Sequence, residues 1–236
     1  MEPLSKNKVK LIRSLRLKKN RISEGLFVVE GDKMVREIID SHPDLVEFIC
    51  TTQDERLYVH SFHTDVRTMK EITTLTNPPS LLAVIKKVNL PQSDKGIILA
   101  LDGIQDPGNL GTIIRTADWF GIKQIICSKE TVDCYNPKVV QSTMGSIFRL
   151  RIDYLDLNEY MTNCDLPVYG ALLDGKNMYE KTFEKNALLL IGNEGNGISG
   201  DLLPRITYPI LIPQHGEAES LNASIATAII LAEFKR

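Results

Sequence analysis

The chain has 236 residues, of which 43% are hydrophobic and 25% charged, and its formal net charge is −2. This globular mixture excludes a disordered, collagen-like or disulfide-dense protein, and no stretch approaches the roughly 18–20 apolar residues of a membrane span. The length suits one large domain or two small ones. Four widely spaced cysteines without a CxxC pair predict reduced thiols, a cytoplasmic location and no metal site.

Basic residues are concentrated at the start of the chain. Residues 1–95 carry 16 Lys and Arg against 13 Asp and Glu, whereas residues 96–236 carry 12 against 17. The first 23 residues alone hold eight basic side chains and one acidic one. This asymmetry predicts that the first part contacts a polyanion, although a solvated helix face would show the same pattern.

Residues 1–90 are predicted to form a small α/β/α domain. In chain order, the pattern indicates a helix over 4–19, a strand over 25–30, a helix after Gly31, a strand over 45–50, a short helix over 66–75 and a strand over 80–88. Loop-forming residues at 88–96, including Ser93 and Asp94, indicate the boundary to the next domain.

Residues 96–236 are predicted to form an α/β domain with a buried parallel sheet. Strands are expected at 97–101, 123–127, 166–172, 187–192 and 207–213, and helices at 109–120, 136–144 and 220–234. Open parallel sheets bind ligands beyond the carboxyl ends of their strands. The loops that follow residues 101, 192 and 213 are therefore the candidate sites.

The first of these loops has small residues where a strand gives way to a helix. Gly108 and Gly111 frame Asn109, and Arg115 follows on the helix. Small residues at a helix start allow a phosphate or ribose to approach the backbone. A capped turn followed by a solvent-exposed arginine would have the same sequence.

The second loop contains the glycine pattern GxGxxG at residues 195–200, directly after Glu194. A dinucleotide-binding fingerprint needs a full helix after these glycines. Pro204 follows within four residues and a strand is expected from Thr207, so the pattern disfavours an NAD-binding oxidoreductase.

The third loop leads into the last helix through Ser220 and Asn222. Serine and asparagine are ordinary helix-capping residues. Small polar side chains at a helix start are also suited to hold a ribose or a carboxylate.

Taken in order, the three loops resemble the motifs of one family. NLGTIIRTAD, IGNEGNGIS and ESLNASIA are similar to the three motifs of the SpoU/TrmH family of RNA ribose 2′-O-methyltransferases, which belongs to the SPOUT superfamily. VVQSTMGSIFRLRI resembles the stretch between the first two motifs, but Met144 puts it one residue out of step, and Ala223 replaces a common valine. The amino-terminal part resembles the family's substrate-binding domain, so the resemblance covers residues 4–234.

The resemblance implies an S-adenosylmethionine-dependent methylation of ribosomal or transfer RNA by a homodimer, with the cofactor held in a deep trefoil knot of the second domain. By position, the catalytic residues would be Asn109, Arg115, Glu194, Ser220 and Asn222. The cofactor would contact Ala171, Leu172, Gly192, Asn193, Gly197, Ile212 and Leu221. The expected RNA contacts are Lys18, Lys19, Arg21 and Arg149.

The chemistry requires a ribose 2′-hydroxyl to be positioned and to lose its proton. Arginine is effectively always protonated, so we expect Arg115 to stabilise the phosphate and the developing alkoxide electrostatically. Glu194, solvent or a transiently neutral Arg115 could accept the proton. With one tryptophan and 6% aromatic residues, RNA recognition through shape and backbone is expected more than base stacking. The alternative is a non-catalytic RNA-binding or assembly protein, which would not need the complete polar set.

Overall fold

The computed structural model describes residues 1–54, 56–92 and 95–236. The chain divides into two compact units, the first comprising Met1–Asn89 with Tyr135–Phe148 and the second Leu90–Cys134 with Arg149–Arg236. The helix predicted at 136–144 thus clusters with the first unit, although it follows the boundary expected from sequence. The predicted loop residues Ser93 and Asp94 lie outside the described residues.

The first unit is built on a mixed five-stranded sheet of order β1-β4-β3-β5-β2. Its elements up to residue 89 are β1 (Glu2–Pro3), α1 (Lys6–Ser14), α2 (Lys18–Glu24), β2 (Leu26–Glu30), α3 (Asp32–Ser41), β3 (Val46–Thr51), β4 (Ser61–His63), α4 (Val66–Ile72) and β5 (Leu81–Lys86). β5 pairs antiparallel with β2 and β3, and β4 runs parallel to β1 and β3. The very short strands β1 and β4 were not predicted, because two or three residues give no periodic signal.

Helices cover this sheet as the predicted α/β/α arrangement requires. Ile12 of α1 and Met69 of α4 share a buried cluster with Leu82 and Val84 of β5. The rings of Phe27 on β2 and Tyr135 lie 4.6 Å apart. Since successive strand residues point to opposite faces, Phe27 faces away from the neighbouring Leu26 and Val28, which pack on the first cluster.

The single helix predicted over 4–19 is instead two helices. Leu17 has extended backbone angles, with φ −94° and ψ 130°, and separates α1 from α2. The side chain of Arg21 donates hydrogen bonds of 2.8 Å from Nη1 to the carbonyl oxygens of both Leu15 and Arg16. Those carbonyls follow α1, so a buried guanidinium satisfies the groups that a continuous helix would have used.

The rest of the chain adds ten elements. They are β6 (Ile97–Leu101), α5 (Pro107–Trp119), β7 (Gln124–Cys127), α6 (Pro137–Thr143), β8 (Arg151–Tyr154), α7 (Leu157–Thr162), β9 (Val168–Asn177), β10 (Ala187–Ile191), β11 (Tyr208–Leu211) and α8 (Ala223–Phe234). Short 3-10 turns lie at Pro43–Leu45, Ser146–Phe148, Met178–Glu180 and Leu203–Arg205. β8 and α7 were not predicted, and α6, which Asn136 caps, belongs to the first unit.

The second unit contains the predicted parallel sheet. Its six strands run in the order β11-β9-β10-β6-β7-β8, and every neighbouring pair is parallel. The strand order reverses between β6 and β10, because β7 and β8 extend to one side and β9 and β11 to the other. The loops after β6 and β10 therefore leave the same edge at the reversal, where such sheets bind ligands.

Candidate functional site

The loop after β6 holds Asn109 at the start of α5. Asp106 is the helix cap, and its Oδ1 accepts a hydrogen bond of 2.8 Å from the Asn109 backbone nitrogen. Pro107 occupies the first helical position, which needs no N–H donor. Asn109 is thereby fixed in the first turn of the helix. The residue is half-buried, and because Asp106 is the cap, the side-chain amide of Asn109 can contact other residues.

The loop after β10 is a tight turn organised by Asn193. The backbones of Asn193 and Gly197 exchange two hydrogen bonds of 2.9 Å, and Asn193 Nδ2 donates to the Gly103 carbonyl at 2.7 Å. A Cβ on Gly192 would lie 2.2 Å from the backbone carbonyl carbon of Gly197, so no side chain fits there. Glu194 lies in this turn, and the hydrogen bond from Asn193 to Gly103 connects the turn to the loop after β6.

Three of the predicted catalytic side chains form one hydrogen-bonded chain. Asn222 Nδ2 donates to Asn109 Oδ1 at 2.8 Å, and Asn109 Nδ2 donates to Glu194 Oε1 at 2.5 Å. Asn222 Oδ1 accepts from the backbone nitrogen of Ser224 at 2.9 Å and so caps α8. The three candidate loops are thus connected through side chains, and two helix starts hold the chain in place.

The other two predicted catalytic residues are close in sequence to Asn109 and Asn222, but their side chains do not take part in these hydrogen bonds. Arg115 is exposed on α5, six residues after Asn109, and Ser220 is exposed two residues before Asn222. Neither side chain forms a hydrogen bond or ion pair with another residue that the structure describes. Both side chains are therefore accessible to a substrate.

The predicted cofactor residues lie within β9 and after β10 and β11, which are neighbouring strands of the sheet. β9 pairs with β11 at Gly170 and again at Lys176, so Ala171 and Leu172 lie in a bulge of β9 between these pairs. The remaining predicted residues are Gly192, Asn193 and Gly197 after β10, and Ile212 and Leu221 after β11. Leu221 is 47% exposed, so its side chain is accessible to a ligand.

The predicted RNA contacts divide into exposed and buried residues. Lys18 and Lys19 are exposed at the start of α2. Arg21 is only 2% exposed, and the prediction that it contacts RNA phosphates needs correction, since its guanidinium holds the carbonyls after α1. Arg149 is exposed and its Nε pairs with Asp118 Oδ2 at 2.8 Å.

Sequence reasoning missed two carboxylates that shape the site. Asp106 caps α5, and an Asp before a Pro at a helix start is a signal that would have found it. Asp102 is 6% exposed, and its Oδ2 accepts from the Ser199 backbone nitrogen at 2.7 Å, a long-range contact without a sequence signal. No α-helix follows the GxGxxG pattern before β11, as expected for a chain without a dinucleotide fingerprint.

The described residues contain no group of three or more His, Cys, Asp or Glu that could hold a metal ion. Within the same residues, no helix is both long and apolar enough to cross a membrane. The four cysteines form no disulfide with one another in this structure, and three of them are buried.

Comparison with known proteins identifies the family. The SpoU rRNA Methylase family profile matches residues 96–232, and the MRM3-like substrate binding domain profile matches residues 6–83. The chain is 30% identical to the Bacillus subtilis 23S rRNA (guanosine(2553)-2′-O)-methyltransferase RlmP over 241 residues, which cover 98% of this chain and 97% of the relative.

Two solved structures share the whole fold. A TrmH-family protein from Porphyromonas gingivalis has a TM-score of 0.88 and 38% identity, and the match covers 98% of each chain. The rRNA methyltransferase from Sinorhizobium meliloti with bound AdoMet has a TM-score of 0.87 and 30% identity, covering 100% of this chain and 96% of the other. The chain belongs to the SpoU rRNA methylase family.

Proposed function

We propose that the protein transfers a methyl group from S-adenosylmethionine to a ribose 2′-hydroxyl of RNA, with ribosomal RNA as the substrate. The main observation in support is the pair of hydrogen bonds that links Asn222, Asn109 and Glu194. These bonds join the three loops that contain the family motifs. A non-catalytic RNA-binding protein would not need these side chains held together. Relatives named as 23S rRNA 2′-O-methyltransferases support the ribosomal substrate.

The residues in the bulge of β9 and after β10 and β11 fit an S-adenosylmethionine. Half-buried Leu172 and Ile212 with exposed Leu221 offer apolar surface for an adenine ring. The turn at 192–197 offers backbone groups, and its glycines bring no side chains into the space. We propose these loops as the cofactor site, and bound AdoMet in the Sinorhizobium meliloti relative supports the assignment.

Bound S-adenosylmethionine supplies an electrophilic methyl group, so the protein's own residues must prepare the hydroxyl. Asn109 fixes the Glu194 carboxylate by donating to it, and Asn222 fixes Asn109 in turn. Glu194 is the carboxylate in this set that can accept the hydroxyl proton. Exposed Arg115 keeps its positive charge and stabilises the substrate phosphate and the developing alkoxide. Exposed Ser220 is available to hydrogen-bond the ribose.

The active form is proposed to be a homodimer through the second unit. α8 packs against α5, yet its opposite face carries Ile225, Ala228, Ile229 and Ala232 at helical spacing. Ile225 is 50% exposed, and this face has no charged side chain. A second copy of the chain is the partner that such a face fits, and sedimentation at twice 26.5 kDa would test it.

We further propose that the end of the chain forms a trefoil knot. After β11, at the edge of the sheet, the chain returns to α5 near the reversal of strand order, where Asn222 contacts Asn109. This return and the family resemblance support the knot.

An rRNA substrate supports a location in the cytoplasm.

Methyl transfer tests the function directly. The purified protein would be incubated with methyl-labelled S-adenosylmethionine and either rRNA or tRNA from cells that lack the gene. A 2′-O-methyl group blocks alkaline cleavage of the adjacent phosphodiester, so we expect label in one alkali-resistant dinucleotide from rRNA. Label from tRNA alone would correct the substrate. RNA binding without any transfer would establish the non-catalytic alternative.

A further inference from the structure

The chain's single tryptophan is on the surface of the second unit. Trp119 is the last residue of α5, and its side chain is 85% exposed. Among the described residues it is the most exposed of the large hydrophobic side chains. Tryptophan is usually largely buried, so an indole held almost entirely in water calls for a partner.

The position of Trp119 relates it to the proposed reaction. Trp119 lies four residues after Arg115 on the same helix, and residues at this spacing are neighbours on one helix face. The separation along the axis is about 6 Å at the rise of an α-helix. If Arg115 contacts the phosphate beside the target ribose, Trp119 lies within reach of the base of an adjoining nucleotide.

The charges around Trp119 suit a nucleic-acid partner. Arg115 lies one turn away, and the Asp118–Arg149 ion pair of 2.8 Å holds a second guanidinium at the last turn of α5. Surfaces that bind single-stranded nucleic acid combine cations with exposed aromatic rings on which bases stack, and Trp119 with Arg115 supplies both.

We infer that Trp119 binds RNA by stacking on an unpaired base next to the methylated nucleotide. The inference rests on the proposed function and adds a base contact to a site otherwise expected to read shape and backbone. Stacking is tolerant of base identity, so Trp119 would fix the position of the substrate strand rather than select one sequence.

The protein offers a direct probe, because all of its indole fluorescence comes from Trp119. We expect emission typical of a water-exposed indole at every protein concentration, and quenching when 23S rRNA transcribed in vitro is added. Emission that shifts to shorter wavelength as the concentration rises, without RNA, would place Trp119 in a contact between two copies of the chain and overturn the inference.

Variants separate stacking from folding and from chemistry. Trp119→Ala should raise the KM for rRNA by about 5- to 100-fold, while the affinity for S-adenosylmethionine is unchanged. Trp119→Phe keeps an aromatic face and should restore most of the loss. Leu203→Ala is the matched control, since it removes another exposed apolar side chain of the same unit, 43% exposed.

The outcomes distinguish this inference from the proposed function. If the wild-type protein methylates rRNA and Trp119→Ala keeps the wild-type KM, the stacking inference is wrong and the function stands. If the wild-type protein neither methylates nor binds the transcript, the proposed function fails, and the inference fails with it.

Discussion

Asn222 has two separable tasks, and substitution can remove one or both. Its Oδ1 caps α8 by accepting from the backbone nitrogen of Ser224, and its Nδ2 donates to Asn109, which in turn donates to Glu194. Asn222→Ala removes both interactions. Asn222→Asp keeps an oxygen that can cap the helix, since Asp and Asn cap about equally well, but it presents an oxygen instead of an amide to Asn109.

The magnitudes follow from these two interactions. Loss of a helix cap costs about 0.5–2 kcal/mol, and loss of the partly exposed hydrogen bond to Asn109 about 1 kcal/mol. Asn222→Ala should therefore lower the free energy of unfolding by about 1.5–3 kcal/mol and the Tm by roughly 3–12 °C. Asn222→Asp should stay within about 1 kcal/mol of wild type. Both variants should lose methyl transfer by about 10²-fold or more, because Glu194 is no longer positioned.

Thermal unfolding and single-turnover methyl transfer on rRNA measure the two effects separately. Asp156→Ala is the matched control, since Asp156 caps α7 by accepting from the Glu159 backbone nitrogen at 3.0 Å and does not contact Asn222, Asn109 or Glu194. It should lower stability as a lost cap does and leave turnover unchanged. A stable Asn222→Asp variant with wild-type turnover would refute the view that the Asn222–Asn109 hydrogen bond positions Glu194.

Four further predictions concern other residues of the chain. Arg115→Ala should lower turnover by about 10²–10⁴-fold with unchanged S-adenosylmethionine affinity by calorimetry, and wild-type turnover would remove Arg115 from the mechanism. Leu221→Trp should block cofactor binding in a folded protein, and unchanged affinity would move the pocket elsewhere. Reversing the charge of Lys18 and Lys19 should weaken RNA binding and flatten the slope of log affinity against log salt by about 0.7–0.9 for each phosphate group that the variant no longer neutralises. Arg21→Ala should instead lower the Tm, because this side chain is buried against two carbonyls.

The elements that sequence predicted well are those whose signal is local. β6 and β10 are continuous apolar runs, and both match the predicted strands closely. The proximity of Asn109, Glu194 and Asn222 was also partly foreseeable, because each of the three residues belongs to a recognisable motif. Their hydrogen bonds were not, since Asn109 and Asn222 are 113 residues apart and only the strand order brings their loops together.

The wrong predictions concern residues whose environment is set by distant parts of the chain, or whose burial differs from what is usual for that residue type. Arg21 belongs to a basic run that looks solvated, yet its guanidinium is buried because the chain turns after α1 and leaves carbonyls to satisfy. Composition also fails to show where a single residue lies on the structure. The presence of only one tryptophan suggested little base stacking. That tryptophan, however, is exposed at the end of α5, one turn from Arg115, where we infer that it stacks on a base.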